Sequence, residues 1–88
     1  MEYVVTTPSQ LGQVLQGCRK QRGSNQTEVG ARVGLRQKAV STLETDPSRT
    51  SVERLFKMLS ALDLQIVLRD KRRESVPIEA RRRTKAEW

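Results

Sequence analysis

The chain has 88 residues, 17 of them Lys or Arg against 10 Asp or Glu, for a net charge of +7. With 35% hydrophobic residues and one each of Trp, Tyr and Phe, it has material for one small domain with a modest Leu/Val core, a domain that dimerisation would help. The charge favours a polyanionic partner, nucleic acid before membrane. Histidine is absent and cysteine occurs once, so no metal cluster, Ser/His/acid set or zinc spacing can be assembled, and no P-loop pattern is present. An enzyme, a metal and a cofactor are therefore not expected. No long apolar run spans a membrane, and the first residues lack the basic-then-apolar pattern of a leader. The expected location is cytoplasmic, on the nucleoid.

Residues 1–6 read as an extended arm, because Tyr3, Val4 and Val5 are too few for an independent strand. The spacing predicts a first helix from Pro8 to Arg22. Thr7 is its N-cap, Pro8 suits the first helical position, and Gln10 completes a capping box. Leu11, Val14, Leu15 and Cys18 recur at helical spacing. Cys18 lies on that apolar face and reads as a buried, reduced thiol. Arg19, Lys20 and Arg22 crowd the last turn, where they suit the helix dipole. They read chiefly as a solvated face, with phosphate contact as the alternative. Gly23 ends the helix.

Residues 25–44 organise the chain. Asn25 followed three residues later by Glu28 is a capping-box pattern. Val29 and Val33 share one helix face, and Gly34 ends the helix by turning left-handed. Leu35 follows, and a second helix runs from Arg36 or Gln37 to Glu44. Ala39, Val40 and Leu43 face inward. Arg36, Gln37, Lys38, Ser41 and Thr42 make the outward face. Helices this short need a supporting core. A supported helix showing Arg, Gln, Lys, Ser and Thr fits the major groove, where Lys donates to guanine and Gln pairs with adenine. An ordinary bundle with a solvated polar face is the competing reading; the net charge favours DNA. At the start of the first of these helices, Asn25, Gln26 and Thr27 are placed to hold phosphates and set register.

Residues 45–49 form a loop broken at Asp46-Pro47. A fourth helix is predicted from Thr50 as N-cap, with Glu53 as its capping-box partner, to about Leu62. Val52, Leu55, Phe56, Leu59 and Leu62 form its stripe, and Phe56 is the largest part of that core. Residues 64–69 are rich in β-formers and read as a strand. An isolated strand leaves backbone groups unpaired, so Leu64, Ile66 and Leu68 mark a strand that pairs with its copy in a homodimer. Two reading heads then suit a palindromic operator in double-stranded DNA. The tail, 71–88, holds seven Lys/Arg and three Glu and reads as disordered in isolation. Trp88 at its end is either part of a solvated basic tail or an aromatic anchor for a partner.

Gln26, Val29, Val33-Gly34-Leu35, Val40-Ser41 and Leu43-Glu44 resemble the Xre/Cro-CI family of helix-turn-helix repressors. Ser24 and Gly30 depart from that pattern, which has an apolar residue and an alanine there. Glycine inside a helix costs about 1 kcal/mol relative to alanine. The family geometry brings Arg49 to the DNA backbone. The strand LDLQIVLRD, the start Pro8-Ser9-Gln10-Leu11 and the final tryptophan narrow the resemblance to HipB-type antitoxins. It covers residues 8–70 and the end of the tail. It implies a dimer that represses its own operon and binds a HipA-type Ser/Thr kinase toxin, holding it inactive. The expected fold is all-α: a four-helix domain over 1–70, with one C-terminal strand pairing across the dimer, followed by the basic tail. An Xre-type repressor of phage or metabolic genes, with no toxin partner, is the alternative, as is a protein-docking module for which DNA is secondary.

Overall fold

The structure, a computed structural model, describes residues 1–71. Four helices follow one another: α1 (Pro8–Gln21), α2 (Gln26–Val33), α3 (Gln37–Thr45) and α4 (Val52–Ala61), with a 3-10 turn at Pro47–Arg49 before α4. Among the described residues no strand is formed. The expected tail, Trp88 included, lies outside them beyond Lys71.

Local chemistry sets each boundary. The Thr7 hydroxyl accepts the Gln10 N–H at 3.1 Å. The Gln10 side chain, however, takes the Thr6 N–H at 2.7 Å and the Thr6 hydroxyl at 3.0 Å, so the reciprocal arm sits one residue outside the expected box. Helix α1 stops at Gln21, a residue before the expected end, because Gly23 turns left-handed at φ 67°. The Ser24 N–H then reaches the Arg19 carbonyl at 3.3 Å, and the Gly23 N–H reaches Lys20 at 3.0 Å, satisfying two terminal carbonyls. The Asn25/Glu28 capping box on α2 is complete, both bonds being 2.8 Å, and Gly34 closes that helix at φ 74°. For α4 the cap is Ser51, which accepts the Arg54 N–H at 3.1 Å. The expected Thr50/Glu53 box is thus displaced by one residue. Asp63, at φ 56°, ends α4, and the Leu64 N–H returns to Leu59 at 2.8 Å.

The core is built from Leu15, Cys18, Val29, Val40, Leu43, Met58, Leu59 and Leu62, rimmed by Leu11, Val14, Leu35, Leu55, Ala61 and Leu64. The expected stripe of α4 needs correction. Leu55, Met58, Leu59 and Leu62 follow i, i+3, i+4, i+7 and take the inner face. Val52 and Phe56 fall on the neighbouring face and remain 67% and 52% exposed. Phe56 is therefore not part of this core. Residues 64–70 have no ladder partner within one chain, as a strand that requires a second copy would not. Leu64 packs on the core, whereas Ile66, Val67 and Leu68 point into solvent. Glu2 of the N-terminal arm pairs with Arg69 at 3.0 Å, bringing the arm beside this segment.

Close helix packing explains one departure from the repressor pattern. A Cβ on Gly30 would overlap the Leu35 carbonyl and press on Val40. The missing side chain lets the chain fold back from α2 into α3, and the Leu35 N–H bonds the Gly30 carbonyl at 2.8 Å. Gly12 does the same where α1 meets the Glu44 carbonyl. Gly30→Ala should therefore destabilise the protein by about 1–3 kcal/mol through overpacking, although helix propensity alone would make it a gain. Urea unfolding decides the sign; a more stable variant would contradict this packing.

Candidate nucleic-acid interface

Helix α3 is held by a polar network buried behind it. Glu44 sits one residue beyond the core position Leu43 and four beyond Val40, so its carboxylate points inward, where its side chain is fully buried. Arg19 lies four residues after Leu15 and faces the same space from α1. Its Nε donates to Glu44 Oε2 at 2.5 Å and its Nη2 to Oε1 at 3.0 Å. Its Nη1 donates to the Ser24 carbonyl at 2.9 Å. Hydrogen bonding to Glu44 holds the Arg19 pKa above its ordinary value, outweighing the opposite effect of burial. Among the described residues, no buried side-chain polar atom lacks a partner. That condition is needed here, because a buried charge without hydrogen bonds is costly.

The network runs outward from this pair. Gln26 Nε2 donates to Glu44 Oε1 at 3.0 Å, and Gln37 Nε2 donates to Gln26 Oε1 at 2.5 Å. One chain of bonds thus links α1, α2 and the first residue of α3. The reading of Arg19 as a solvated last-turn cation is corrected: it is only 8% exposed. Its spacing from Leu15 was the available signal. Ser24, polar where the repressor pattern has an apolar residue, is buried with its hydroxyl accepting from Arg32 at 3.1 Å.

The structure separates the candidate site residues by exposure and by hydrogen-bond partner. Arg36, Gln37 and Lys38 are exposed, and Ser41 and Thr42 are half-buried. Gln37 and Ser41 lie one helical turn apart on one line, Lys38 and Thr42 on the adjacent line. The Thr42 hydroxyl donates to the Lys38 carbonyl at 3.1 Å, so only its acceptor capacity faces outward. At the start of α2, Asn25 spends its side chain and its backbone N–H on the capping box. The Gln26 side chain is committed to Glu44 and Gln37. What remains there for an anion is the unpaired start of the helix, at Gln26 and Thr27. Arg49 ends the 3-10 turn and is exposed.

Two short helices across Gly34, the second presenting its polar N-terminal half outward from a buried frame, define a helix-turn-helix domain. A helix-turn-helix family profile matches residues 15–68. Antitoxin HipB of Escherichia coli O6:H1 is 32% identical over 84 residues, covering 96% of this chain and 87% of that protein. Antitoxin HipB of Escherichia coli K12 is 30% identical over 84 residues, covering 96% and 93%. Among solved structures, a HipB-O4 20mer complex aligns with a TM-score of 0.75 at 30% identity, over 80% of this chain and 99% of that one. A HipA-HipB-O2-O3 complex aligns with a TM-score of 0.76 at 30% identity, over 80% and 99%. The chain belongs to the HipB antitoxin family of helix-turn-helix proteins.

The buried pair carries a testable asymmetry. Arg19→Met alone or Glu44→Leu alone should each cost about 3–5 kcal/mol, by leaving one charge buried without its partner. The double variant should recover most of that loss in urea unfolding. Additive losses would show that the two side chains do not depend on each other.

Proposed function

We propose that this protein is a homodimeric transcriptional repressor that binds palindromic operator DNA, regulates its own operon, and serves as the antitoxin of a HipA-type Ser/Thr kinase. The observation that carries the DNA half is Gln37, the first residue of α3, held in place through Gln26 by the buried Arg19–Glu44 pair. Family membership, with a relative solved in a HipA-HipB-O2-O3 complex, supports the toxin half. The work of the molecule is binding rather than catalysis.

The geometry supports a role for each residue. With one N–H given to Gln26, Gln37 keeps a carbonyl and a second N–H, the pair needed to bond adenine at N6 and N7. Lys38 extends beside it toward guanine O6 or N7, and Ser41 and Thr42 take polar edges deeper in the groove. Gln26 and Thr27 hold a phosphate at the start of α2, Asn25 keeps that start in shape, and Arg49 meets the backbone on the other side. Leu64, Ile66 and Leu68 lie on the strand that pairs with its copy. The exposed Val67, Val52 and Phe56 give the second protomer apolar surface to cover. Trp88 is the anchor for the kinase.

Two variants separate the two activities. Gln37→Ala should weaken binding to the duplex upstream of the protein's own operon by about 1–3 kcal/mol. It should leave scrambled DNA and inhibition of the kinase unchanged. Removal of residues 72–88 should release the kinase while preserving preference for the upstream duplex. Equal loss on both duplexes from Gln37→Ala would move Gln37 from base to phosphate. Full inhibition by the shortened chain would take the kinase contact away from the tail.

A further inference from the structure

The described residues include seven arginines, and they divide into two groups. Arg19 binds Glu44, Arg22 donates to the Cys18 carbonyl at 3.1 Å, Arg32 binds Ser24, and Arg69 binds Glu2. Arg36, Arg49 and Arg54 make no side-chain hydrogen bond or ion pair among the described residues. These three line the same groove, an open depression of about 390 Å³ between the start of α3, the 3-10 turn and the start of α4. Lys38 and the hydroxyl-bearing Thr50 line it as well, and no carboxylate does. The other four guanidinium groups among the described residues, those of Arg19, Arg22, Arg32 and Arg69, find acceptors. Here three are gathered around one depression with their donors unspent, beside the positive end of the α3 dipole. Forked N–H donors of this kind match the oxygens of a phosphodiester.

We infer that Arg36, Arg49 and Arg54 form a phosphate clamp that grips the DNA backbone beside the bases read by α3. The inference rests on the repressor reading and deepens it. It moves Arg36 from the base-reading set to the backbone and adds Arg54, which the sequence pattern did not single out. Arg36 occupies the N-cap position of α3 with no capping bond of its own. A guanidinium has donors only and cannot accept the N–H groups at a helix start, so the Arg36 side chain is left to the groove it lines. From α3 and its N-cap the groove is lined by Arg36, Lys38, Ala39 and Thr42, and neither Gln26 nor Gln37 lines it. The helix would thus enter the groove of the duplex gripped at two separate places, by backbone N–H groups at the start of α2 and by arginines at the clamp. Such contacts fix register and supply affinity without reading sequence.

The test compares the full-length protein with its Arg36→Gln, Arg49→Gln and Arg54→Gln variants by fluorescence anisotropy. The probes are the duplex upstream of the protein's own operon and a scrambled duplex, each between 50 and 200 mM salt. All three side chains are exposed, and unchanged circular dichroism melts would show the fold intact. Each variant should weaken both duplexes by the same factor and flatten the salt slope by about 0.9 per lost phosphate contact. With two protomers bound, that narrows the affinity change across this salt range about tenfold. Arg69→Gln, already paired with Glu2, should leave the slope as it was. An unchanged slope for Arg54→Gln, or a loss for Arg36→Gln confined to the upstream duplex, would overturn the clamp. A wild-type protein with no preference for the upstream duplex would instead sink the repressor reading, and the slopes would still decide the clamp.

Discussion

Glu44 has no route to water, and the rest of the domain is arranged to answer its charge. Its carboxylate takes a forked pair of bonds from Arg19 and a third from Gln26. Its two partners belong to α1 and α2 and Glu44 itself to α3, so one group fixes the relative placement of three helices. The apolar core of Leu15, Val29, Val40, Leu43, Met58 and Leu62 supplies the driving force for collapse but is indifferent to small rotations. A buried, fully bonded ion pair is not. If its geometry slips, a charge is left desolvated. The same bonds continue to Gln37 at the protein surface, so the frame and the outer face of α3 are one connected structure.

Close packing serves the same end. Gly12 brings α1 against the backbone at Glu44, and Gly30 brings the turn against α2. Both remove a Cβ where a helix must approach backbone. The network has little tolerance for separation, since its bonds span 2.5 to 3.0 Å. Elsewhere the opposite holds. Among the described residues Val52, Phe56, Val67 and Leu68 stay open to solvent. In the homodimer proposed above, a second copy would cover that surface and set two α3 helices at a defined spacing.

Much of this was legible in the residues. The cap at Thr7, the Asn25/Glu28 box, the left-handed glycines at positions 23 and 34, and the split of α3 into inner and outer faces all follow from local chemistry. Local chemistry also explains the small errors. Thr50 and Ser51 can both cap, and Ser51, the stronger N-cap type, takes the place and accepts the Arg54 N–H. What could not be read was pairing over distance. Arg19 and Glu44 are 25 residues apart, and each alone looks like a surface charge at a helix end. Phe56 belongs to the expected stripe by its spacing from Val52 and Leu59. The inner face of α4 instead went to Met58, whose register with Leu55 and Leu62 is better. The cost of glycine at position 30 was likewise visible locally, while its necessity lay in the turn that folds back over it.

The central claim is that the buried frame holds Gln37 ready through Gln26. A double-mutant cycle on Gln26→Ala and Gln37→Ala tests it most directly, read as preference for the upstream duplex over a scrambled one. The account predicts that each single change removes most of the same discrimination, about 1–3 kcal/mol, and that the double variant is no worse than either. Losses that simply add would mean that the two glutamines act independently, and that the network ends at Glu44.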